Sequence, residues 1–252
     1  GATGMRYDFS ASLGLTRSLL IYYGQPWRRT GLRRFYGGFI KPGDLVFDIG
    51  AHAGSRSRTL LSLGAKVIAL EPQPLFADFI ARSLAGEDLV LLRKAVGKEK
   101  GSVDLHISSR HPTVTSISSS WISKVEKTSG FRRVAWDRVE RVEMTTLDAL
   151  IDEYGLPFFC KIDVAGAEAD ILAGLRHPIP LIAFEYVPAV MEIAEEAIRH
   201  IRRLGSYRFN RVEGERHRFI NRDWVSAEAM LADLAGMAGR GSSGDIYARL
   251  DT

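Results

Sequence analysis

The stretch LVFDIGAHAG, residues 45–54, decides how the chain folds. An apolar run ends on the acid Asp48. Gly50 and Gly54 follow, with a small residue on either side of His52. This is the pattern of a strand that stops in a tight turn, where a bare backbone lets a ligand or the next helix come close. In an open parallel sheet, ligands sit outside the carboxyl ends of the strands, where the strand order reverses. Dinucleotide folds prefer G-x-G-x-x-G there, with backbone amides around a pyrophosphate. Here the spacing is D-x-G-x-x-x-G, and Ala51 stands near the place of the second close glycine. A carboxylate in front repels a pyrophosphate and suits an ammonium or sulfonium ligand. The next strand ends in Glu71-Pro72, with Glu71 21 residues after Gly50. An acid there can accept from both hydroxyls of a ribose. Turn and acid together read as a site for a nucleoside with a cationic amino-acid tail, which is S-adenosylmethionine.

Working outward, short apolar runs that do not alternate mark strands covered on both faces. They lie at 44–48, 66–70, 89–95, 158–164 and 180–185, with last strands at 207–212 and 245–250. Helices are expected near 56–63, 74–85, 167–175 and 190–204, and KPGD at 41–44 is a turn. Such alternation predicts an α/β, Rossmann-like doubly wound, mainly parallel sheet. Residues 1–40 read as an N-terminal helical extension, with a stripe of Leu13, Leu15, Leu19, Leu20 and Tyr23 and an interruption at Pro26. The remaining domain, 41–252, carries an insertion near 101–145. It holds an added strand at 101–108, a Ser/Thr-rich stretch at 108–130, a strand near 138–145 and a short helix capped at Thr146. Long irregular segments in compact domains are usually functional or disordered. This one is expected to be a substrate-side lid.

The 252 residues, 46% hydrophobic and 25% charged, suit one domain with appendages. No apolar run approaches the roughly 18–20 residues of a membrane helix, and no secretory signal is expected. The single cysteine, Cys160, excludes an internal disulfide and a cysteine metal cluster. A cytoplasmic location fits. Net charge is +4, with Arg6, Arg17, Arg28, Arg29, Arg33, Arg34 and Lys41 against Asp8 in the first 41 residues. Two readings of this segment stand: a solvated helical face, or a patch for an anionic substrate, a phosphate or a lipid surface. Neither zinc-finger spacing nor an RNA-binding aromatic signature is present, so nucleic acid is not an expected partner.

FDIGAHAG, ALEPQP, KAVGKEKGSVDLHIS, TTLDALID, FCKIDVAGAEADILAGL, IAFEY and GDIYARL come in the order seen in FkbM-type methyltransferases, and the chain resembles that family over about 45–186 plus the last strand. KIDVAGAE is similar to the family's K-I-D-V-E-G-A-E. The resemblance implies S-adenosylmethionine dependence, a class I methyltransferase sheet of seven strands, and O-methylation of natural products or sugars. It assigns Asp48, Gly50 and Gly54 to the cofactor turn and Glu71 to the ribose. Ala51, His52, Pro72, Ala95, Val96 and Asp163 are expected to complete the cofactor site. His52 stands where an asparagine is common, and Ala165 where a glutamate is common.

Strand alternation puts Phe159, Lys161 and Asp163 on one face and Cys160 on the other. The tips of three strands are expected to bring Asp48, Asp163 and Glu185 to one cleft. Transfer to an alcohol needs a base within hydrogen-bond reach. Asp163 is the first choice, as base or orienter. Lys161 tunes it or binds substrate, and Glu185 and Glu168 are further acids for the site. The competing readings are a structural Lys161–Glu185 ion pair and a helix-start role for Glu168. His111, Ser116 and Ser118 are candidate acceptor contacts. No metal-ligand spacing appears among the acids and histidines. The expected acceptor is a small molecule. Arg110, Lys124, Lys127, Arg132 and Arg133 of the insertion suggest an anionic one, such as a phosphorylated or nucleotide-linked sugar. The alternatives are a non-catalytic methyltransferase-like binding module and an NAD(P)-dependent oxidoreductase, the latter disfavoured by the missing G-x-G-x-x-G and Tyr-x-x-x-Lys.

Overall fold

A computed structural model describes residues 26–128 and 131–252. The stripe Leu13–Tyr23, with Arg6, Asp8 and Arg17, lies outside the described residues. The elements run α1 (Pro26–Gly37), β1 (Leu45–Ile49), α2 (Ser55–Ser62), β2 (Lys66–Leu70), α3 (Pro74–Ser83), β3 (Leu89–Leu92) and β4 (Ala95–Val96). The insertion follows as β5 (Gly101–Ile107), α4 (Ser119–Val125) and β6 (Arg138–Thr145). The chain then forms α5 (Leu147–Tyr154), β7 (Phe159–Ile162), α6 (Glu168–Ala173), β8 (Leu181–Tyr186), α7 (Met191–Arg202), β9 (Tyr207–Glu213), α8 (Ala227–Met237) and β10 (Gly244–Leu250).

Seven strands form one sheet in the order β3-β2-β1-β7-β8-β10-β9. Pairs from β3 to β8 are parallel, and β10 runs antiparallel to both neighbours. The chain winds outward from β1 to β3, then returns to β7 on the other side of β1. The reversal therefore falls at the β1/β7 tips, where Asp163 N–H donates to Ile49 O at 2.9 Å. Strand alternation splits the central strands between two cores. Val46, Phe159, Ala183 and Tyr247 pack with Tyr36 of α1, Leu60 of α2 and Ile80 of α3. Phe47, Cys160, Ile182 and Ile246 pack on the other face with Leu150 of α5, Ile171 of α6, Ile198 of α7 and Leu234 of α8. No helix among the described residues is long and apolar enough to cross a membrane.

Pro26 is the first described residue of α1, and the residues before it lie outside the described ones. Several local expectations are corrected. The strand expected at 89–95 breaks at Arg93-Lys94. Ala95–Val96 leaves the main sheet and pairs with β6 in a second sheet, ordered β4-β6-β5. The Ser/Thr-rich stretch contains α4, which starts because Ser118 Oγ accepts the Trp121 N–H at 3.2 Å. Helix α8 was also not anticipated; Ser226 Oγ caps it by accepting from Ala229 N at 3.1 Å. Thr146 caps α5 in the same way, accepting from Ala149 N at 3.1 Å.

Candidate active site

The β1 turn owes its shape to two left-handed glycines, Gly50 at φ 78° and Gly54 at φ 83°. A Cβ on Gly50 would lie 2.0 Å from Asp163 O, so the β1 and β7 tips can meet only over glycine. Gly54 lets α2 settle on Ile80 of α3. Between them His52 is also left-handed, at φ 50°. Its N–H donates to Glu71 Oε1 at 2.8 Å, while Gln73 N–H donates to Glu71 Oε2 at 2.9 Å. The carboxylate is thus fixed by backbone donors, with lone pairs left over on both oxygens. Burial pushes the Glu71 carboxyl up against these favourable contacts. Glu71 edges a narrow slot of about 50 Å³ whose walls include Gly50, Pro72, Ala95, Val96 and Ile117. Apolar walls beside an anchored acid suit a ligand with an apolar face and hydroxyl donors.

Beside the slot, one guanidinium ties the two strand tips together. Arg56 Nη1 donates to Asp48 Oδ1 at 2.9 Å and Nη2 to Asp163 Oδ2 at 2.6 Å. Ser57 Oγ donates to Asp48 Oδ2 at 2.6 Å. Burial opposes the Arg56 charge, and the two carboxylates outweigh it. His52 Nε2 stands 3.6 Å from Asp163 Oδ2 and its Nδ1 3.9 Å from Glu71 Oε1. Burial would lower the His52 pKa, but these acids raise it above the ordinary value. Burial also works against the Asp163 charge, yet His52, Arg56 and Lys161 hold its carboxyl well below the usual range.

A second, larger cleft of about 310 Å³ opens on the other side of this network. Its walls include Tyr36 of α1, Trp121 of α4, Lys161, Glu185, Asp245 and Tyr247. Lys161, 3% exposed, donates to Asp245 Oδ1 at 2.9 Å. Burial disfavours its charge and Asp245 restores it. Burial, then the charges of Asp163 and Asp245, push the Glu185 carboxyl up to about 8. Slot and cleft share three wall residues, His52, Asp163 and Ala165. Residues of the 101–145 segment touch this junction. Trp121 packs on Gly166, and Ser116 Oγ donates to Ala165 O.

Among the expected cofactor residues, Gly50, His52, Glu71, Pro72, Ala95, Val96 and Asp163 all line the slot. Asp48, Ala51 and Gly54 do not line it. Asp48 is fully buried, so the expectation that it shares an open cleft with Asp163 and Glu185 is corrected: the cation it faces is Arg56. Lys161 pairs with Asp245, not Glu185, because Asp245 projects from the reversed strand β10. Glu168 is 4% exposed and lines neither cleft; burial, then the neighbouring Glu185, push its carboxyl well up. Ser116 lies at the slot, Ser118 is spent on the α4 cap, and His111 lines neither cleft although Pro112 and Thr113 do. Sequence reasoning missed Arg56, Ser57, Asp245 and the two tyrosines. Arg56 carried a signal: a cation in the first turn of a helix opposes the dipole and needs carboxylates nearby.

The model of the methyltransferase FkbM domain matches residues 48–235. The chain belongs to the FkbM methyltransferase family. It is 29% identical over 153 residues to the 2-O-methyltransferase NoeI of Sinorhizobium fredii, covering 58% of this chain and 63% of that protein. A chloroplastic ribosomal RNA small subunit methyltransferase of Arabidopsis thaliana is 41% identical over 49 residues, 19% of this chain and 14% of that one. The chain thus spans less than two thirds of the length of these relatives. A TehB-like SAM-dependent methyltransferase from Corynebacterium glutamicum superposes with a TM-score of 0.43 at 11% identity, covering 93% of this chain and 100% of that one. No group of three or more His, Cys, Asp or Glu among the described residues is placed to hold a metal ion.

Proposed function

We propose that this FkbM protein methylates a hydroxyl group of a small molecule, a sugar, glycan or secondary metabolite, using S-adenosylmethionine. The observation that carries this reading is the shared wall of His52, Asp163 and Ala165 between the narrow slot and the larger cleft. A donor in the slot and an acceptor in the cleft meet at that wall, and bringing two reactants together is most of what a methyl-transfer protein must do. The NoeI relative, named a 2-O-methyltransferase, supports a hydroxyl acceptor.

In this reading Glu71 binds the ribose hydroxyls, with Pro72, Ala95 and Val96 beside the nucleoside. When bound, S-adenosylmethionine supplies an activated methyl group on a sulfonium. Asp163 and His52 sit on the donor side of the wall and orient both partners. Lys161, Glu185 and Asp245 face the acceptor. Residues 101–145 serve as an acceptor-side lid on a methyltransferase domain of 41–252, behind an N-terminal extension of 1–40. The exposed Arg132 and Arg133 of the insertion favour an anionic group at the outer end of the acceptor. The inner cations Arg56 and Lys161 are already matched by carboxylates. The same reading takes the protein to be cytoplasmic.

The test is calorimetric titration with S-adenosylmethionine, S-adenosylhomocysteine and NAD. Micromolar binding of the first two alone supports the reading, and binding of NAD alone overturns it. For the acceptor, affinity at low and high salt is compared. A salt-insensitive affinity contradicts the anionic group.

A further inference from the structure

The acids around the transfer point differ in one respect. Asp48 accepts from Arg56 and Ser57, Asp163 from Arg56, Asp245 from Lys161 and Glu71 from two backbone amides. Glu185 lines the acceptor cleft, and no hydrogen bond or ion pair among the described residues engages its carboxylate. Its position is fixed by register. Ile162 of β7 pairs with Phe184 of β8, so the next residues along these parallel strands, Asp163 and Glu185, stand side by side at the tips. Neighbouring strands are about 4.8 Å apart. The lone pairs of Glu185 are thus uncommitted, and they lie one strand away from the wall shared by the two clefts.

We propose that Glu185 is the general base that takes the proton from the acceptor hydroxyl. The assignment rests on the methyl-transfer reading above and deepens it. Transfer to a hydroxyl forms one C–O bond and breaks one S–C bond, whose electron pair stays on sulfur, and it releases one proton. That proton passes from the acceptor oxygen to a Glu185 carboxylate oxygen and then to solvent. Asp163 is poorly suited to the task, because Arg56 already occupies its Oδ2 and holds it ionised. Glu168 lines neither cleft. The proton affinity of Glu185 agrees with the geometry: a carboxyl that ionises at about 8 is a far stronger base than an ordinary glutamate. Lys161, paired with Asp245 beside it, limits how far that affinity rises.

The experiment compares wild type with Glu185→Gln and Glu185→Asp. Methyl transfer from tritiated S-adenosylmethionine is followed from pH 5.5 to 9.5 on methyl α-glucoside, methyl α-fucoside, UDP-glucose and catechol. Calorimetry measures S-adenosylmethionine binding, and carbon-13 NMR follows the Glu185 carboxyl. In Glu185→Gln, kcat/KM is expected to fall about 10²–10⁴-fold while cofactor binding stays intact. The rising limb of the wild-type profile, with its midpoint near 8, disappears, and Glu185→Asp recovers part of the rate with the limb restored. A Glu185→Gln variant within a few-fold of wild type, with the limb intact, overturns the assignment and leaves methyl transfer standing. Absence of cofactor binding by the wild type sinks both. If the wild type binds cofactor but methylates none of these probes, the NMR titration decides. Ionisation near pH 8 supports the assignment, and ionisation below pH 6 overturns it.

Discussion

Lys161 Nζ lies 2.9 Å from Asp245 Oδ1, and this ion pair joins two strands that are not neighbours. Strand β8 runs between them, and Ala183 stands in register with Lys161 on one side and Tyr247 on the other. The small side chain leaves the lysine a path across the sheet. The pair locks the reversed strand β10 to the centre of the fold, on the acceptor side. Lys161→Ala strands the Asp245 charge, and Asp245→Asn leaves a lysine that is 3% exposed without its carboxylate. Removing one partner of a buried pair costs about 3–5 kcal/mol. Urea unfolding of both single variants and the double variant is the check. The double variant is expected to lose clearly less than the sum of the two, and strict additivity would show that the pair is not coupled.

Arg56 does for the strand tips what Lys161 does for the strand edge. It is the shared donor to Asp48 and Asp163, and Asp48 is 0% exposed. Arg56→Ala leaves the Asp48 charge with Ser57 alone and should destabilise by about 3–5 kcal/mol. Arg56→Lys keeps the charge but loses the fork that reaches both acids at once. The lysine variant is expected to keep the fold and weaken cofactor binding, since Asp163 loses a fixed orientation at the slot. Parallel urea unfolding and calorimetry separate the two effects; a lysine variant indistinguishable from wild type in both would mean that the fork is dispensable.

Glu71 tests the donor side on its own. Its carboxylate accepts the His52 and Gln73 amides and edges the slot. Glu71→Gln turns an NH₂ group toward one of those amides and also weakens the hold on ribose hydroxyls. Hydrogen bonds to a charged group contribute about 1.5–3 kcal/mol each, so S-adenosylhomocysteine affinity should fall at least about tenfold. Calorimetry on the variant gives the answer directly, and an unchanged Kd would remove Glu71 from the ribose role.

Trp121 packs the 101–145 segment closely onto Gly166. A Cβ on Gly166, where φ is 89°, would lie 2.3 Å from Trp121 Cγ. Trp121 in turn anchors a small cluster with Val125, Val190, Phe131 and Trp136. Gly166→Ala must therefore displace the indole or strain the backbone. Faster limited proteolysis within 108–137 and red-shifted tryptophan fluorescence are expected, with the seven-stranded sheet retained by circular dichroism. Protease resistance equal to wild type would argue that the insertion is held elsewhere.

The sheet was legible because its signals are local. Strand ends such as Asp48 and Glu71, and the glycines after them, mark a parallel sheet wherever they occur in series. The turn over Gly50 was readable from its spacing alone. What stayed hidden depends on contacts between residues distant in the chain. Arg56 and Asp163 are 107 residues apart, and Lys161 and Asp245 are 84 apart. Nothing in FCKI or GDIYARL states that the last strand inserts beside β8, so the ion pair read from the sequence for Lys161 was with Glu185. Helix α4 was hidden for a different reason. Its Ser-rich sequence has weak helix propensity, and burial of Trp121 rather than propensity holds it.

The same hidden arrangement makes stability depend on pH. An unfolded glutamate ionises near its ordinary value of 4.5, whereas burial, Asp163 and Asp245 keep the folded Glu185 protonated up to about 8. The contribution of this group to stability is then fully present below about pH 4.5. It is lost as pH rises from there through about 8, and it stays constant above that. Glu185→Gln carries no such loss. Each tenfold difference in proton affinity is worth about 1.4 kcal/mol, and with partial solvent screening the variant should gain about 2–4 kcal/mol on wild type by pH 9. Thermal unfolding at pH 5, 6.5, 8 and 9 is the measurement. The Tm gap between variant and wild type should widen across that range and level off at the top, and a gap that is flat with pH would place the Glu185 carboxyl among ordinary surface acids.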